Sequence, residues 1–278
     1  MINEVDAHQR TVRRSFSVLI LSFFLSWMAV PLAVAGESGP SAYVQFQDVI
    51  ARAKSLAQEL FEAPGQDLSE TLKKLGYDQW RNIRFKPAQS LWSGKPFNVQ
   101  FFHPGFLYQH PVTVHYVDRD GTHEVPFSSD LFEYEDKDLK ERVSHDHGFA
   151  GFRIHYPLNT PKYADELVAF LGASYFRALG RGLSYGMSAR GLAVNTAEDT
   201  GEEFPLFREF WLVRPLSGAK SITLYALLDS VSVTGAYEYT IFPGEETVMK
   251  VRSTLFVRQD IRKLGIAPLT SMFCYGEN

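Results

Sequence analysis

Residues 221–257, with the sequence SITLYALLDSVSVTGAYEYTIFPGEETVMKVRSTLFV, contain three strand signals in succession. The runs at 221–228, 236–242 and 247–257 are rich in Val, Ile, Leu, Tyr, Phe and Thr, and aromatic and β-branched residues are enriched in strands. Pro243 and Gly244 separate the last two runs and are typical of a turn. We therefore predict a long hairpin over the last two runs.

Four more strand signals lie N-terminal to this hairpin. They cover residues 97–102, 112–117, 152–156 and 209–213, each bounded by Pro, Gly, Asp or Ser. Helical patterns of roughly 10–15 residues do not alternate with these strands, so a large antiparallel β-sandwich is favoured over β-α-β units. Residues 164–170 are interpreted as a short helix-like turn.

Two short helices are predicted before the first strand. Apolar residues recur with helical spacing at positions 49, 50, 53, 56, 57 and 60, and the helix ends before Pro64 and Gly65. Asp67 and Glu70 have the spacing of a capping box and begin a second helix, which Gly76 ends. The predicted fold class is therefore mostly β, a large antiparallel β-sandwich with short N-terminal helices.

Composition excludes several classes of protein. The chain has 278 residues, 45% of them hydrophobic, which is enough for a sizeable core. The formal net charge is −4 and the basic residues are scattered, so nucleic acid is not an expected partner. Cys274 is the single cysteine, which excludes an internal disulfide framework.

The N-terminus predicts export from the cytoplasm. Arginines at positions 10, 13 and 14 precede an apolar run at 16–30, which is shorter than the roughly 20 residues of a spanning helix. Ala33 and Ala35 fit a signal peptidase site, so we expect residues 1–35 to be a signal peptide cleaved after Ala35. An uncleaved anchor is the alternative, and the twin arginines leave the choice of export route open.

Residues 148–215 interleave aromatic residues, arginines and glycines with a few carboxylates. Aromatic rings offer flat apolar surface, guanidinium and carboxylate groups make planar polar contacts, and glycines allow close backbone approach. This combination suits a groove for a neutral, hydroxyl-rich polymer. The candidate substrate-binding residues are Tyr175, Arg177, Tyr185, Arg190, Glu203, Phe204 and Trp211. Two partners remain open for the arginines, a structural carboxylate such as Glu203 or a ligand hydroxyl.

No catalytic or metal-binding residue is assigned. Hydrolysis of a glycosidic bond needs two carboxyl groups in different protonation states. The candidates by composition are Glu202, Glu203, Glu209 and Asp229. Of these, Glu202 and Glu203 are expected to be solvated loop carboxylates, and Asp229 is expected to cap a turn. The His-Asp-His stretch at 145–147 is more typical of a solvated hinge than of a zinc or iron site. No phosphate-binding glycine motif is present, and no cofactor is predicted.

Four longer segments carry a family resemblance. They read FLGASYFRALGRGLSYGMSARGLAVNT at 170–196, GEEFPLFREFW at 201–211, LYALLDSVSVTGAY at 224–237 and LGIAPLTSMF at 264–273. Segment by segment they resemble the family of periplasmic glucan biosynthesis protein G and its D paralogue. The likeness runs from the first predicted helix to Asn278.

The resemblance implies a β-sandwich of the galactose-mutarotase-like type, followed in complete members by an immunoglobulin-like domain, in the Gram-negative periplasm. Residues 36–278 are then expected to be the N-terminal part of the sandwich domain. The family's acid and base carboxylates would fall in the part that this sequence lacks. We therefore expect a periplasmic protein of osmoregulated glucan biosynthesis that binds the β-linked glucose backbone in a groove.

Other functions are left open by the sequence. The family is also associated with endo-β-1,2-glucanase activity, which would make the protein a glycoside hydrolase that shapes the glucan. A third function is that of a non-catalytic partner of an inner-membrane glucan synthase. A truncated product that does not fold stably is the fourth alternative, because later strands of a sandwich supply packing surface for earlier ones.

Overall fold

The computed structural model describes residues 43–65, 68–143 and 148–270. Four sequence predictions lie outside these ranges: the signal peptide at 1–35, the cap at Asp67, the His-Asp-His stretch at 145–147, and Cys274. Within the described ranges the predicted fold class is confirmed, because the chain is mostly β with antiparallel sheets and few short helices. No helix in these ranges has the length and apolar character that a membrane crossing needs.

The helices of the described ranges are α1 (Phe46–Leu56), α2 (Glu70–Lys73), α3 (Tyr77–Arg81) and α4 (Lys137–Arg142). Helix α1 forms because Phe46, Val49 and Ala53 recur on one buried face. It ends at Leu56, earlier than predicted, and Leu60 beyond it is 92% exposed. Helix α2 is capped by Ser69, whose Oγ accepts a hydrogen bond from the backbone N–H of Leu72 (3.4 Å).

The first six-stranded sheet has the order β14-β13-β12-β11-β3-β4. We call it the helix-covered sheet, since α1 packs on its outer face. Its strands are β3 (Thr113–Asp118), β4 (Gly121–Glu124), β11 (Leu206–Val213), β12 (Ile222–Asp229), β13 (Val233–Phe242) and β14 (Val248–Val257). The predicted hairpin is confirmed, because β13 and β14 pair in antiparallel register from Val233 with Val257 to Phe242 with Val248.

The second six-stranded sheet has the order β16-β9-β8-β7-β6-β2. We call it the open sheet, because none of the four helices packs substantially on its outer face. Its strands are β2 (Asn98–Phe102), β6 (Gly151–Tyr156), β7 (Asp165–Leu171), β8 (Tyr175–Ala178), β9 (Met187–Arg190) and β16 (Leu269–Thr270). Two smaller ladders pair β1 (Ile83–Phe85) with β5 (Phe132–Tyr134), and β10 (Leu192–Val194) with β15 (Leu264–Ile266).

The two sheets face each other across one aromatic core. Phe152 of the open sheet meets Phe210 of the helix-covered sheet at 4.9 Å between ring centroids, and Phe170 meets Tyr239 at 5.2 Å. All four side chains are buried, and the pairs are edge-to-face, a preferred arrangement of aromatic rings. The inner faces of both sheets are therefore occupied by packing, which leaves the outer faces and the loops for ligands.

Two details of the predicted fold are wrong. Residues 164–170 do not form a helix-like turn, since Asp165–Leu171 is strand β7. The sheet is also not wholly antiparallel, because β3 pairs with β11 in parallel, from Thr113 with Glu209 to Val117 with Val213. Two parallel neighbouring strands must be joined by a long connection. The residues of β3 and β11 themselves do not indicate that these two strands pair.

Candidate functional site

Alternation along two short strands places candidate residues on the outer face of the open sheet. In β8, Phe176 turns inward and packs on Tyr239 (5.3 Å), so its neighbours Tyr175 and Arg177 turn outward. The register pairs Tyr175 with Arg190 of β9. Three of the seven predicted residues therefore lie together on one partly exposed sheet face.

A β-bulge brings a carboxylate to the same face. Leu167 and Val168 are consecutive in β7, yet both are buried in the inner core, and the register with β6 shifts at this point. Because the bulge inserts one residue, Glu166 points outward, although strict alternation from Val168 would point it inward. Bulges that re-aim a side chain are over-represented next to active sites.

Glu166 is held between two arginines. Its Oε1 accepts a hydrogen bond from Arg177 Nη2, and its Oε2 lies 3.3 Å from Arg153 Nη1. Arg153 is positioned in turn by Gln100, whose Oε1 accepts from Nη2 at 2.9 Å. Burial raises the pKa of the Glu166 carboxyl, but the hydrogen bond and charge of Arg177 and the charge of Arg153 outweigh it, so the net pKa lies below its ordinary value. Glu166 is a permanently ionised acceptor at neutral pH.

Aromatic rings lie against the guanidinium groups of this face. Arg177 sits 5.6 Å from the ring centroid of Tyr185, and Arg190 sits 5.0 Å from Tyr175 and 5.3 Å from Phe204. Each distance is within the range of a cation–π contact. Tyr185 is 60% exposed and Phe204 is 51% exposed, so both rings also present surface to solvent. The exposed rings and the guanidinium groups beside them can stack on and hydrogen-bond a polar ligand.

The carboxylate partner of Arg190 is Glu202, one residue before the glutamate suggested by the sequence. Glu202 Oε1 accepts from Arg190 Nη1 and, at 2.9 Å, from the hydroxyl of Thr196. Glu203 points elsewhere. Its carboxylate accepts from the Ser230 hydroxyl and from the backbone N–H (2.9 Å) and hydroxyl (2.7 Å) of Ser232, in the turn between β12 and β13.

Trp211 lies apart from the other six predicted residues. It is 3% exposed, on the outer face of the helix-covered sheet, where α1 covers it. The His115 ring stacks on it at 5.6 Å, and Arg52 of α1 sits 5.6 Å from its centroid. The same arginine and histidine hold Glu209, each at 2.7 Å. These contacts fasten α1 to the sheet.

Sequence reasoning missed Glu166, Arg153 and His155 on the open sheet. His155 pairs across the strands with Glu166, and its Nδ1–H donates to the Ala164 carbonyl at 3.2 Å. Burial lowers the pKa of His155, despite this hydrogen bond. Arg153 could have been found from the alternation of Phe152, Arg153 and Ile154, whereas the orientation of Glu166 depends on the bulge.

The described ranges contain no group of three or more His, Cys, Asp or Glu side chains that could hold a metal ion. The open face carries guanidinium hydrogen-bond donors, carboxylate acceptors and aromatic rings. Such a surface can hold a neutral polar ligand by hydrogen bonds and stacking.

The fold and this face define a mostly β protein with an exposed sheet surface of arginines, carboxylates and aromatic rings. The chain belongs to the periplasmic glucan biosynthesis protein family, because the pattern of the family described as "Periplasmic glucan biosynthesis protein, MdoG" matches residues 44–278. The resemblance seen in the sequence is thereby confirmed.

Two relatives support the same assignment. Glucans biosynthesis protein G of Ralstonia nicotianae is 49% identical over 253 residues, covering 90% of this chain and 50% of the relative. Glucans biosynthesis protein G of Rhodopseudomonas palustris is 49% identical over 228 residues, covering 81% of this chain and 45% of the relative. The chain thus spans about half the length of the curated relatives it matches.

Proposed function

We propose that this chain binds the β-linked glucan backbone on the outer face of the open sheet. The observation that carries the proposal is the bulge in β7, which places Glu166 outward between Arg153 and Arg177. Membership of a glucan biosynthesis family indicates glucan as the ligand. The open face carries the hydrogen-bonding groups and aromatic rings that a polymer of glucose units needs.

Glucose hydroxyls both donate and accept hydrogen bonds, so a glucan site needs both kinds of partner. The ionised Glu166 carboxylate accepts, and the guanidinium groups of Arg153 and Arg177 donate. The exposed rings of Tyr185 and Phe204 offer apolar surface to the C–H face of the sugar. Because the ion pairs hold these groups in place before the ligand arrives, less conformational entropy is lost on binding.

Binding is favoured over cleavage by the residues of this chain. A general acid of a glycoside hydrolase needs a raised pKa, whereas the pKa of Glu166 is lowered by its arginines. Glu202 is held by Arg190 and Thr196, and Glu203 by two serines, so these carboxylates also have assigned partners. The glucanase alternative predicts new reducing ends when the chain is incubated with linear β-1,2-glucan, and the binding proposal predicts none.

The binding experiment is a calorimetric titration with linear β-1,2-glucan. We expect the wild-type chain to bind, and Arg177→Ala to weaken binding about tenfold, since a hydrogen bond to a charged group contributes roughly 1.5 kcal/mol or more. Arg252→Ala is the matched control, because Arg252 is also ion-paired (Glu238, 2.9 Å) and stacked (Phe46, 4.6 Å), but lies on the helix-covered sheet. Absence of heat at millimolar glucan would contradict the proposal.

The proposal includes export and signal-peptide cleavage after Ala35, for which the family description "periplasmic" is the support. The arginines at 10, 13 and 14, the apolar run and the small residues before Gly36 have the order of a secretory signal. N-terminal sequencing of the protein from a periplasmic extract should begin at Gly36. Retention of the first 35 residues on a membrane-bound product would contradict cleavage.

A role as the non-catalytic partner of an inner-membrane glucan synthase is compatible with glucan binding. It predicts co-purification with a membrane complex and no turnover of glucan. The open face would then hold the growing polymer, and Arg177→Ala would weaken polymer binding without releasing the protein from the complex.

A further inference from the structure

A pocket lies beside edge strand β2, at the end of the parallel strand pair. Strands β3 and β11 run side by side, and their carboxyl ends lead into Asp118 and Arg214, which are joined by a 3.4 Å ion pair. The turn at 118–120 and the loop at 214–219 form one wall of a cavity of about 480 Å³. Trp92, Lys95, Pro96 and Phe97, just before edge strand β2 of the open sheet, form the other.

The pocket has the size and lining of a small-ligand site. Its volume falls within the range of about 300–1,000 Å³ that is usual for ligand pockets. Apolar rings form part of the wall, contributed by Trp92, Phe97, Pro96 and Pro215. Ligand pockets are typically apolar with a few polar groups that fix orientation.

Trp92 packs against the core between the sheets and has two unusual features. Its φ is +60°, in the left-handed region that residues with a side chain rarely adopt. Its indole N–H is buried and has no hydrogen-bond partner, although buried donors are nearly always paired. Backbone strain and unsatisfied donors cluster at functional sites.

The rim of the pocket carries hydrogen-bond donors and an acceptor side by side. Lys95 and Arg119 supply exposed donors, and Asp120 supplies an exposed acceptor. Asp118 is already engaged by Arg214 and by His123 (3.3 Å), so two cationic donors and one anionic acceptor remain available at the rim. Hydroxyl groups use donors and acceptors together, and a ring with an apolar face fits apolar walls.

We propose that this pocket binds one glucose ring of the glucan, as a second attachment point beyond edge strand β2. The proposal rests on the proposed function for the identity of the polymer, but its residues are separate from those of the open face. A chain anchored at two points binds more tightly than at either alone, because the second contact is intramolecular.

The experiment measures affinity for linear β-1,2-glucan by calorimetry in two pocket variants. Trp92→Phe replaces the indole by a smaller ring and so reduces the flat wall that the sugar would contact, and is expected to weaken binding about fivefold. Leu216→Arg places a long side chain at the rim, at a residue that is 70% exposed and therefore tolerant of change, and is expected to weaken binding about tenfold. Leu60→Arg, at a leucine that is 92% exposed beyond α1, should bind like wild type.

Fluorine NMR of protein labelled with 5-fluorotryptophan gives a direct readout, with Trp92→Phe used to assign the resonance. Glucan should shift the Trp92 signal and leave that of buried Trp211 in place. Wild-type binding with both pocket variants unaffected, and a Trp92 signal that stays in place, would overturn this site and leave the open face intact. Loss of all wild-type binding would contradict the proposed function and this site together. If Trp92→Phe fails to fold by circular dichroism, Leu216→Arg decides.

Discussion

The outer faces of the two sheets carry the same kinds of side chain, but α1 covers one face and leaves the other open. On the helix-covered sheet, Glu209 is held by Arg52 and His115 beside the ring of Trp211. On the open sheet, Glu166 is held by Arg177 and Arg153, with aromatic rings against the guanidinium groups. Each is a carboxylate between two basic groups next to an aromatic ring.

The two clusters differ in how much of their aromatic surface is exposed to solvent. Trp211 is 3% exposed because α1 covers its ring, while Tyr185 is 60% exposed. A buried ring contributes to folding through the apolar area it removes from water. An exposed ring has that area still available for a ligand. Residue types that could bind a ligand on an exposed face therefore stabilise the fold when a helix buries them.

The largest effect is expected when the aromatic ring of each face is removed. Trp211→Ala should lower the free energy of unfolding by about 3–5 kcal/mol, as for other buried large aromatics. Tyr175→Ala removes a half-buried ring and a cation–π contact, and should cost only about 1 kcal/mol. Its glucan affinity should fall about tenfold. Urea unfolding followed by circular dichroism and calorimetric titration measure the two quantities.

The contrast between the two faces would be contradicted if Trp211→Ala and Tyr175→Ala had the same effects on stability and glucan affinity. Equal losses of stability would mean that the open face is packed as tightly as the covered one. A Trp211→Ala protein that folds but fails to bind glucan would return Trp211 to the substrate-binding set predicted from the sequence.

The paired carboxylates give the next largest effect. Glu209→Gln weakens two charge-assisted contacts beneath α1 and should lower the free energy of unfolding by about 1.5–3 kcal/mol. Glu166→Gln weakens a partly exposed pair, whose stability cost should stay within about 1 kcal/mol. Glucan affinity should respond in the opposite order, falling about fivefold for Glu166→Gln and remaining at the wild-type value for Glu209→Gln. Equal affinities in both variants would remove Glu166 from the site.

Strand signals predicted much of the sandwich, because the longer strands carry local patterns. The hairpin of β13 and β14 follows from two apolar runs around Pro243 and Gly244. Strand β7 lacks such a pattern, because its bulge buries Leu167 and Val168 in succession. An unbroken apolar run has no alternation to distinguish a strand from a helix. Strands β8 and β9 have four residues each, which is too short for a clear period.

The candidate site was predicted in part for the same physical reason. Arginine and aromatic residues in 175–190 indicated a polar groove, and alternation in β8 and β9 does place three of them on one face. Trp211 has the same local pattern as Tyr175. Its burial depends on α1, more than 150 residues away in the chain, and no local signal carries that contact. The partner of Arg190 was missed by one residue, because side-chain direction in a turn is set by backbone geometry.

A smaller effect is expected at the exposed rim of the open face. Tyr185→Leu keeps an apolar side chain but removes the cation–π contact with Arg177, worth about 0.5–1 kcal/mol at an exposed site. Glucan loses the flat ring surface of Tyr185 and the support that this ring gives Arg177, so affinity should fall about two- to fivefold. Tyr43→Leu is the control, since Tyr43 is 48% exposed and precedes α1 in the chain. An equal loss in both variants would show that the effect is not specific to the open face.

The smallest effect is expected at His155, as a change in how steeply the free energy of unfolding depends on pH. Burial lowers the pKa of His155 below its ordinary value of 6.5, beside Arg153, Glu166 and Asp165. Between 6.5 and the lower pKa of the fold, the unfolded chain binds more protons than the folded one, so the free energy of unfolding falls as the pH falls. His155→Asn should flatten the curve in this window. The other histidines are common to both proteins and cancel in the difference. Parallel curves through the window would mean that His155 titrates alike in the folded and unfolded chain, and that the open face is more hydrated around it than its burial implies.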